Sequence, residues 1–251
     1  MSKRRFYAAF CIVLFLTGLF MEKRLYQRAG EAASTAASTA ASVSVTEERI
    51  AYLTFDDGPS EVTREILKAL KEENAKATFF LIGEQITEEK KELLLEMVKE
   101  GHELGIHTYS HKPDEIYQSA DAFIEDVLKT AEKIEEAVGV KPRYVRFPWG
   151  SNNRYVKGIK AEVVERLEAA GYTYFDWNVS GEDSIGTPDT ATIYENVKKD
   201  ALKYNQPVIL LHDSATNQNT AKVLPEILKL YREAGYSFET VDKRERAYQY
   251  R

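Results

Sequence analysis

The sequence predicts an α/β fold: a closed or nearly closed (β/α) barrel set behind an N-terminal membrane helix and a flexible linker. Three observations predict it. From Ile50 onward, short apolar runs alternate with charged stretches of helical period. Polar residues that do not belong in strands gather at the carboxyl ends of those runs. Ahead of them lies one long apolar segment, followed by a low-complexity Ala/Ser/Thr tract.

The N-terminal part reads as a targeting device. Residues 1–5 form a basic tip, expected on the cytoplasmic side, and Phe6 to Met21 carry no charge. Sixteen residues rise about 24 Å as a helix, slightly less than the roughly 30 Å hydrocarbon core. Cleavage as a signal peptide calls for small residues soon after the apolar run, whereas Glu22-Lys23-Arg24-Leu25-Tyr26-Gln27-Arg28 is charged and bulky. A transmembrane anchor is therefore the first reading and a cleaved signal the second. Lys and Arg flank both ends equally, so charge does not orient the segment. Residues 22–46 are read as a linker, because the tract 32–42 has no large apolar side chain to offset its ordering entropy.

Residues 47–251 form the candidate catalytic domain. Residues 1–46 hold six Lys/Arg against two Glu, a surplus of four positive charges, so the formal total of −6 leaves the domain at −10. An acidic domain without a basic stripe is a poor partner for nucleic acid. The single cysteine, Cys11, lies in the apolar segment. The domain itself has none, which argues against a disulfide-stapled scaffold without excluding export.

Strands are expected at 50–55, 77–82, 103–106, 143–147, 172–176, 207–211 and 237–241. Between them Val62, Ile66 and Leu70 recur at four, and Leu93, Leu94, Met97 and Val98 follow at three and four. Phe123, Val127 and Ile134, then Val163, Val164, Leu167 and Ala170, then Val223, Leu224, Ile227 and Leu230 continue the pattern. Gly101, Gly139, Gly171 and Gly235 each follow a periodic run, where a left-handed residue ends a helix. Apolar strands separated by helices imply a parallel sheet covered by helices. Seven such units in about 200 residues suit a barrel, with an open doubly wound sheet as the second reading.

The polar exceptions are the strongest signal. Asp56-Asp57-Gly58 follows the first strand, and His107 and His111 follow the third. Arg146 closes the fourth, Asp176-Trp177 the fifth and His212-Asp213 the sixth. In a parallel barrel these ends meet on one face, where such folds carry their chemistry. His107 and His111 are four apart, so on a helical turn both imidazoles would face one way. With one carboxylate from another strand end they would make a three-donor metal site with an open position.

Thr54-Phe55-Asp56-Asp57-Gly58, His107-Thr108-Tyr109-Ser110-His111, Arg146-Phe147-Pro148-Trp149-Gly150, Asp176-Trp177 and Leu210-Leu211-His212 together resemble the five ordered motifs of the polysaccharide deacetylases, the NodB-homology domain of carbohydrate esterase family 4. The resemblance spans 50–241. It implies a distorted (β/α)7 barrel, a divalent metal and hydrolysis of acetyl groups on polysaccharides.

Carried residue by residue, the resemblance makes Asp57 the carboxylate beside the ligands His107 and His111, and Asp56 the general base. Arg146 would orient Asp56 through a bidentate pair, and His212 would be the general acid, with Asp176 as its partner. Trp149 would contribute its backbone N–H to an oxyanion hole, while Leu210 and Trp177 would wall an acetyl pocket. Asp-Asp-Gly-Pro is also a good turn and helix-cap sequence, with Asp57 or Ser60 as caps. Asp213 suits a turn, and His102, beside Gly101, reads as a structural histidine.

Two positions depart from the family pattern: Ile106 stands where Asn often precedes the first histidine, and Thr173 where Asp commonly stands three residues before Asp176. Both bear on substrate positioning. The donor set suits Zn2+ first, with Co2+, Ni2+ or Mn2+ as alternatives. Peptidoglycan amino sugars are the first substrate expectation, given the tether. Chitooligosaccharides, acetylxylan and a silent carbohydrate-binding role are the alternatives. A phosphate-binding α/β protein is disfavoured, since no Gly-rich loop follows the first strand. Oligomeric state is not legible.

Overall fold

The computed structural model describes residues 48–250. The expected basic tip, membrane helix and linker therefore lie outside the described residues. Among the described residues no helix is long and apolar enough to cross a membrane.

In chain order the elements are β1 (Ile50–Gly58), α1 (Thr63–Glu72), β2 (Ala77–Leu81), α2 (Lys91–Lys99), β3 (Glu103–Ile106), α3 (Pro113–Ile116) and α4 (Ala120–Val138). They continue with β4 (Tyr144–Val145), α5 (Lys160–Ala169), β5 (Thr173–Tyr174), β6 (Val179–Ser180), α6 (Thr190–Ala201), β7 (Val208–His212), α7 (Gln218–Glu233) and β8 (Ser237–Phe238). The strands pair in the order β5-β4-β3-β2-β1-β7-β6, with β8 beside the start of β1. Every pairing is parallel. The result is a half-barrel: the path ends on β5 and β6 without pairing them, so the expected closure is incomplete.

Strand alternation sorts side chains onto two faces. Leu53 and Phe55 of β1 join Phe79, Ile209 and Leu211 in the main core against the helices. Tyr52 and Val208 face the other way, packed with Phe80, Phe175 and Val241 and covered by Ala247 and Tyr248 from the C-terminal segment. On that second face β1 carries Tyr52, Thr54 and Asp56, opposite Val208, Leu210 and His212 of β7. One periodicity thus builds the inner core and delivers Asp56 and His212 to the same end of the sheet.

The helices follow the expected periods. Ile66 and Leu70 are fully buried on α1, as are Phe123, Val127 and Ile134 on α4. Gly139, at φ 74°, ends α4 with its N–H on the Glu135 carbonyl, and Gly101, Gly171 and Gly235 also lie at positive φ. Besides the four-residue α3, two further elements were not expected. Strand β6 is only two residues long, too short to show a period. Helix α6 buries Ile193, Val197 and Ala201, a spacing of four across a mainly polar segment.

Candidate active site

Asp56 and Asp57 reach one mouth because β1 is irregular there. Opposite β2, Asp56 pairs with Phe80 and Gly58 with Leu81, leaving Asp57 as an extra residue. Asp57 takes φ 72°, which spoils the alternation that would have sent it to the far side. Gly58 is required by crowding, since a Cβ there would lie 2.4 Å from Asp213 Oδ2.

His107 and His111 also converge, but not on a helical turn as the spacing suggests. They flank an irregular loop in which Thr108 and His111 adopt φ 65° and 55°. Their ring centroids are 5.0 Å apart. Trp149 (φ 62°) and Glu182 (φ 51°) complete a set of left-handed, non-glycine residues around the site. Such conformations cost free energy and concentrate at functional sites.

Asp57 Oδ1 lies 3.5 Å from Nε2 of both His107 and His111. It is buried without a hydrogen-bond partner, an arrangement that costs free energy unless another group engages it. His107 Nδ1 is 2.9 Å from the Arg146 carbonyl. A carbonyl only accepts, so Nδ1 carries the proton and Nε2 presents its lone pair towards Asp57. Burial, helped by His111, holds the His107 pKa well below the usual histidine value, and burial lowers that of His111. Two neutral imidazoles and a carboxylate, their donor atoms all within 4.8 Å of one another, fit a divalent cation.

Asp56 is buried beside this cradle, with Oδ2 3.7 Å from His107 Nε2. Desolvation raises its pKa to about 6, against the opposing pull of Arg146. Arg146 is fully buried, and its guanidinium lies 4.2 Å from the Phe80 ring centroid. It donates from Nη1 to Asp56 Oδ1 (3.0 Å) and to Thr54 Oγ1 (2.6 Å), and from Nε to the Phe175 carbonyl (3.0 Å). The expected bidentate pair is therefore a single contact, because the remaining donors are engaged by Thr54 and by the Phe175 and Asp176 carbonyls just after β5.

His212, half-buried, is the other imidazole of the site, and here the structure corrects the assigned partner. Its Nδ1 lies 2.8 Å from Asp183 Oδ1, and its backbone N–H donates to Asp183 Oδ2 at 2.8 Å. Thr220 Oγ1 holds the same carboxylate at 2.7 Å. Burial opposes the imidazolium charge, but the Asp183 hydrogen bond and negative charge prevail, lifting the pKa to about 9. Asp176 is occupied elsewhere: it accepts from Ser151 N–H, Ser151 Oγ and Tyr250 N–H. Those three bonds anchor the Trp149–Ser151 turn and the C-terminal segment. Asp183 follows β6 by three residues, and no predicted strand end marked it.

A cavity of about 440 Å3 opens over these groups, with Trp149, Trp177, Leu210 and Ile185 along its walls. Trp149 is 49% exposed and its ring sits 4.8 Å from that of His111. Trp177 packs on Gly150 and edge-on against Tyr250. Asp213 leads into the bend and turn at 214–216. It is fully buried, donates its N–H to the Asp56 carbonyl at 2.7 Å, and accepts from Thr63 Oγ1 at 2.6 Å. His102, also buried, accepts the Ala77 N–H.

Acidic and imidazole groups held apart in pKa at the carboxyl ends of parallel strands equip this α/β fold for acid–base chemistry. The family model for polysaccharide deacetylase matches residues 44–175. A peptidoglycan-N-acetylglucosamine deacetylase of Bacillus cereus is 35% identical over 198 residues, covering 77% of this chain and 69% of that protein. A bifunctional xylanase/deacetylase of Pseudobutyrivibrio xylanivorans is 32% identical over 197 residues, covering 78% and 30% respectively. Among solved structures, the catalytic domain of a peptidoglycan N-acetylglucosamine deacetylase from Eubacterium rectale superposes with a TM-score of 0.76 at 32% identity. It covers 82% of this chain and 94% of that one. The chain belongs to the polysaccharide deacetylase family.

Proposed function

We propose that this protein hydrolyses N-acetyl groups on a cell-wall glycan, with peptidoglycan amino sugars as the substrate, and that its half-barrel is the distorted (β/α)7 barrel of its family. One observation carries the reading: the three-donor cradle of Asp57, His107 and His111 lines the same cavity as a buried carboxylate, Asp56, and a half-buried imidazolium, His212.

Asp57, His107 and His111 would hold a divalent cation, Zn2+ first, with Co2+, Ni2+ or Mn2+ as alternatives. When bound, that ion supplies Lewis-acid polarisation of the acetyl carbonyl and the attacking water. Asp56 accepts the proton of the attacking water, its carboxylate aimed by Arg146 Nη1. His212, held by Asp183, donates a proton to the departing amine nitrogen. The Trp149 backbone N–H stabilises charge on the carbonyl oxygen. Leu210 and Trp177 enclose the acetyl methyl and exclude water.

Residues 6–21 are proposed to tether this domain outside the cytoplasm, which would confine it to nearby wall. Export with cleavage is the alternative. The names of the relatives support the wall polymer, and the xylanase/deacetylase relative keeps acetylxylan as the second reading. Acetate released by the purified chain from peptidoglycan, chitooligosaccharide and acetylxylan, compared side by side, tests the reading. Preference for acetylxylan would overturn the substrate.

A further inference from the structure

The C-terminal segment covers the open seam of the half-barrel at β5. Thr173 and Phe175 donate their N–H groups to the carbonyls of Arg143 and Val145 on the β4 side, so strand alternation turns Tyr174 and Asp176 towards the seam, where β5 has no strand partner. The segment takes that edge. Asp176 N–H donates to the Tyr248 carbonyl (2.8 Å), Gln249 Nε2 to the Tyr174 carbonyl (3.1 Å) and Tyr250 N–H to Asp176 Oδ2 (2.8 Å). Lys160 Nζ adds a bond to the Tyr250 carbonyl at 3.2 Å. An edge that would otherwise show unpaired backbone groups is closed in this way.

These bonds seat the Tyr250 ring against a wall of the acetyl pocket. Trp177 lines the cavity and Tyr250 does not; the two rings meet edge-on with centroids 5.4 Å apart. Gly150 packs under the same indole, since a Cβ there would lie 2.9 Å from Trp177 and 3.3 Å from Tyr250. The Arg146 guanidinium stands 5.7 Å from the indole centroid. Trp177 therefore faces open cavity on one side and is propped by Gly150, Arg146 and Tyr250 on the others. A small pocket rejects a longer acyl chain only if its wall cannot recede, and close packing of that wall is what prevents it.

We infer that Tyr250 is a positioning residue for acyl-chain length: pressed against Trp177 by the seam bonds, it keeps the pocket to the size of an acetyl group and closed to a propionyl group. The inference rests on the deacetylase reading and deepens it, by naming a residue outside the cavity that holds the pocket small. Tyr250 acts through Trp177 and touches no reacting atom.

The test compares the full chain on two polymers, peptidoglycan freed of its N-acetyl groups and re-acylated with acetic or with propionic anhydride, and reads released acetate and propionate. The wild-type chain is expected to favour the acetyl polymer in kcat/KM by about tenfold, the effect of one methylene in a packed pocket. Tyr250→Ala is expected to cut that ratio about fivefold by admitting the propionyl group. Tyr250→Phe should keep the ratio, because the ring and not the hydroxyl bears on Trp177. Tyr250→Leu, which leaves apolar bulk at the seam, takes the place of Tyr250→Ala if that variant does not fold. In a Trp149→Phe background Trp177 is the sole tryptophan, and Tyr250→Ala should make its fluorescence easier to quench with acrylamide. An unchanged ratio in Tyr250→Ala with both acids falling together, a wild-type chain indifferent to acyl length, or a Trp177 no easier to quench overturns the role of Tyr250 alone. No acid from either polymer overturns the deacetylase reading with it.

Discussion

His212 Nδ1 stands 2.8 Å from Asp183 Oδ1, and the same carboxylate also receives the His212 backbone N–H. The pair fixes both the tautomer and the charge of the imidazole. With a pKa of about 9, His212 is protonated below that pH and loses its proton as pH rises through it. The alkaline limb of activity should therefore fall near 9. Asp183→Asn should move that limb down towards the ordinary histidine value of about 6.5, whereas Asp176→Asn should leave it in place. The same shift links to folding: the raised pKa stabilises fully below about 6.5, and that contribution is lost between there and about 9. A pH–rate profile of each variant decides between the two partners.

Cation binding should depend on His107 and Asp57 more than on Asp56. His107→Ala and Asp57→Asn should each lower metal content by at least about tenfold, since removal of one donor from three leaves an incomplete set. Elemental analysis of the purified chains, with a chelator-treated control, reads this directly.

The strand ends were legible because parity and position are sequence properties. Tyr52, Thr54 and Asp56 alternate with Leu53 and Phe55, so the pattern alone placed a carboxylate at the close of an apolar strand. The convergence of Asp57 was not legible, because it depends on an extra residue in β1 and a left-handed φ of 72°. The Asp183 partnership was hidden for another reason. It follows a two-residue strand and is brought to His212 by the pairing of β6 with β7, a long-range choice with no local pattern. Asp176, by contrast, sat at an evident strand end, and its neighbours Ser151 and Tyr250 are far off in sequence. Position named the face correctly but not the partner on it.

Asp176 should behave as a structural residue. It is fully buried and satisfies three donors. Asp176→Ala would orphan them, at a cost of about 2–5 kcal/mol. Thermal unfolding should show a drop of several degrees, with the alkaline limb unmoved in whatever activity survives.

The acidic limb should belong to Asp56. Burial raises its pKa to about 6, so the proton acceptor disappears as pH falls through that value and activity falls with it. Folding responds in the opposite sense, because the native state holds this proton more tightly: the Asp56 contribution to stability declines as pH rises from about 4 to about 6. Arg146→Met should raise the limb further by removing the opposing charge, provided the variant folds. A kcat–pH profile checks the limb, and denaturant unfolding at matched pH checks the stability.

Asp56→Asn tests the central claim most directly, measured for acetate release and for metal content in the same preparation. The substitution keeps the shape of the side chain and removes its capacity to accept the water proton. The account predicts that turnover on peptidoglycan falls by about 10²–10⁴-fold while the bound cation stays near one per chain. Activity close to that of the wild-type chain, or loss of metal equal to that of Asp57→Asn, would contradict it.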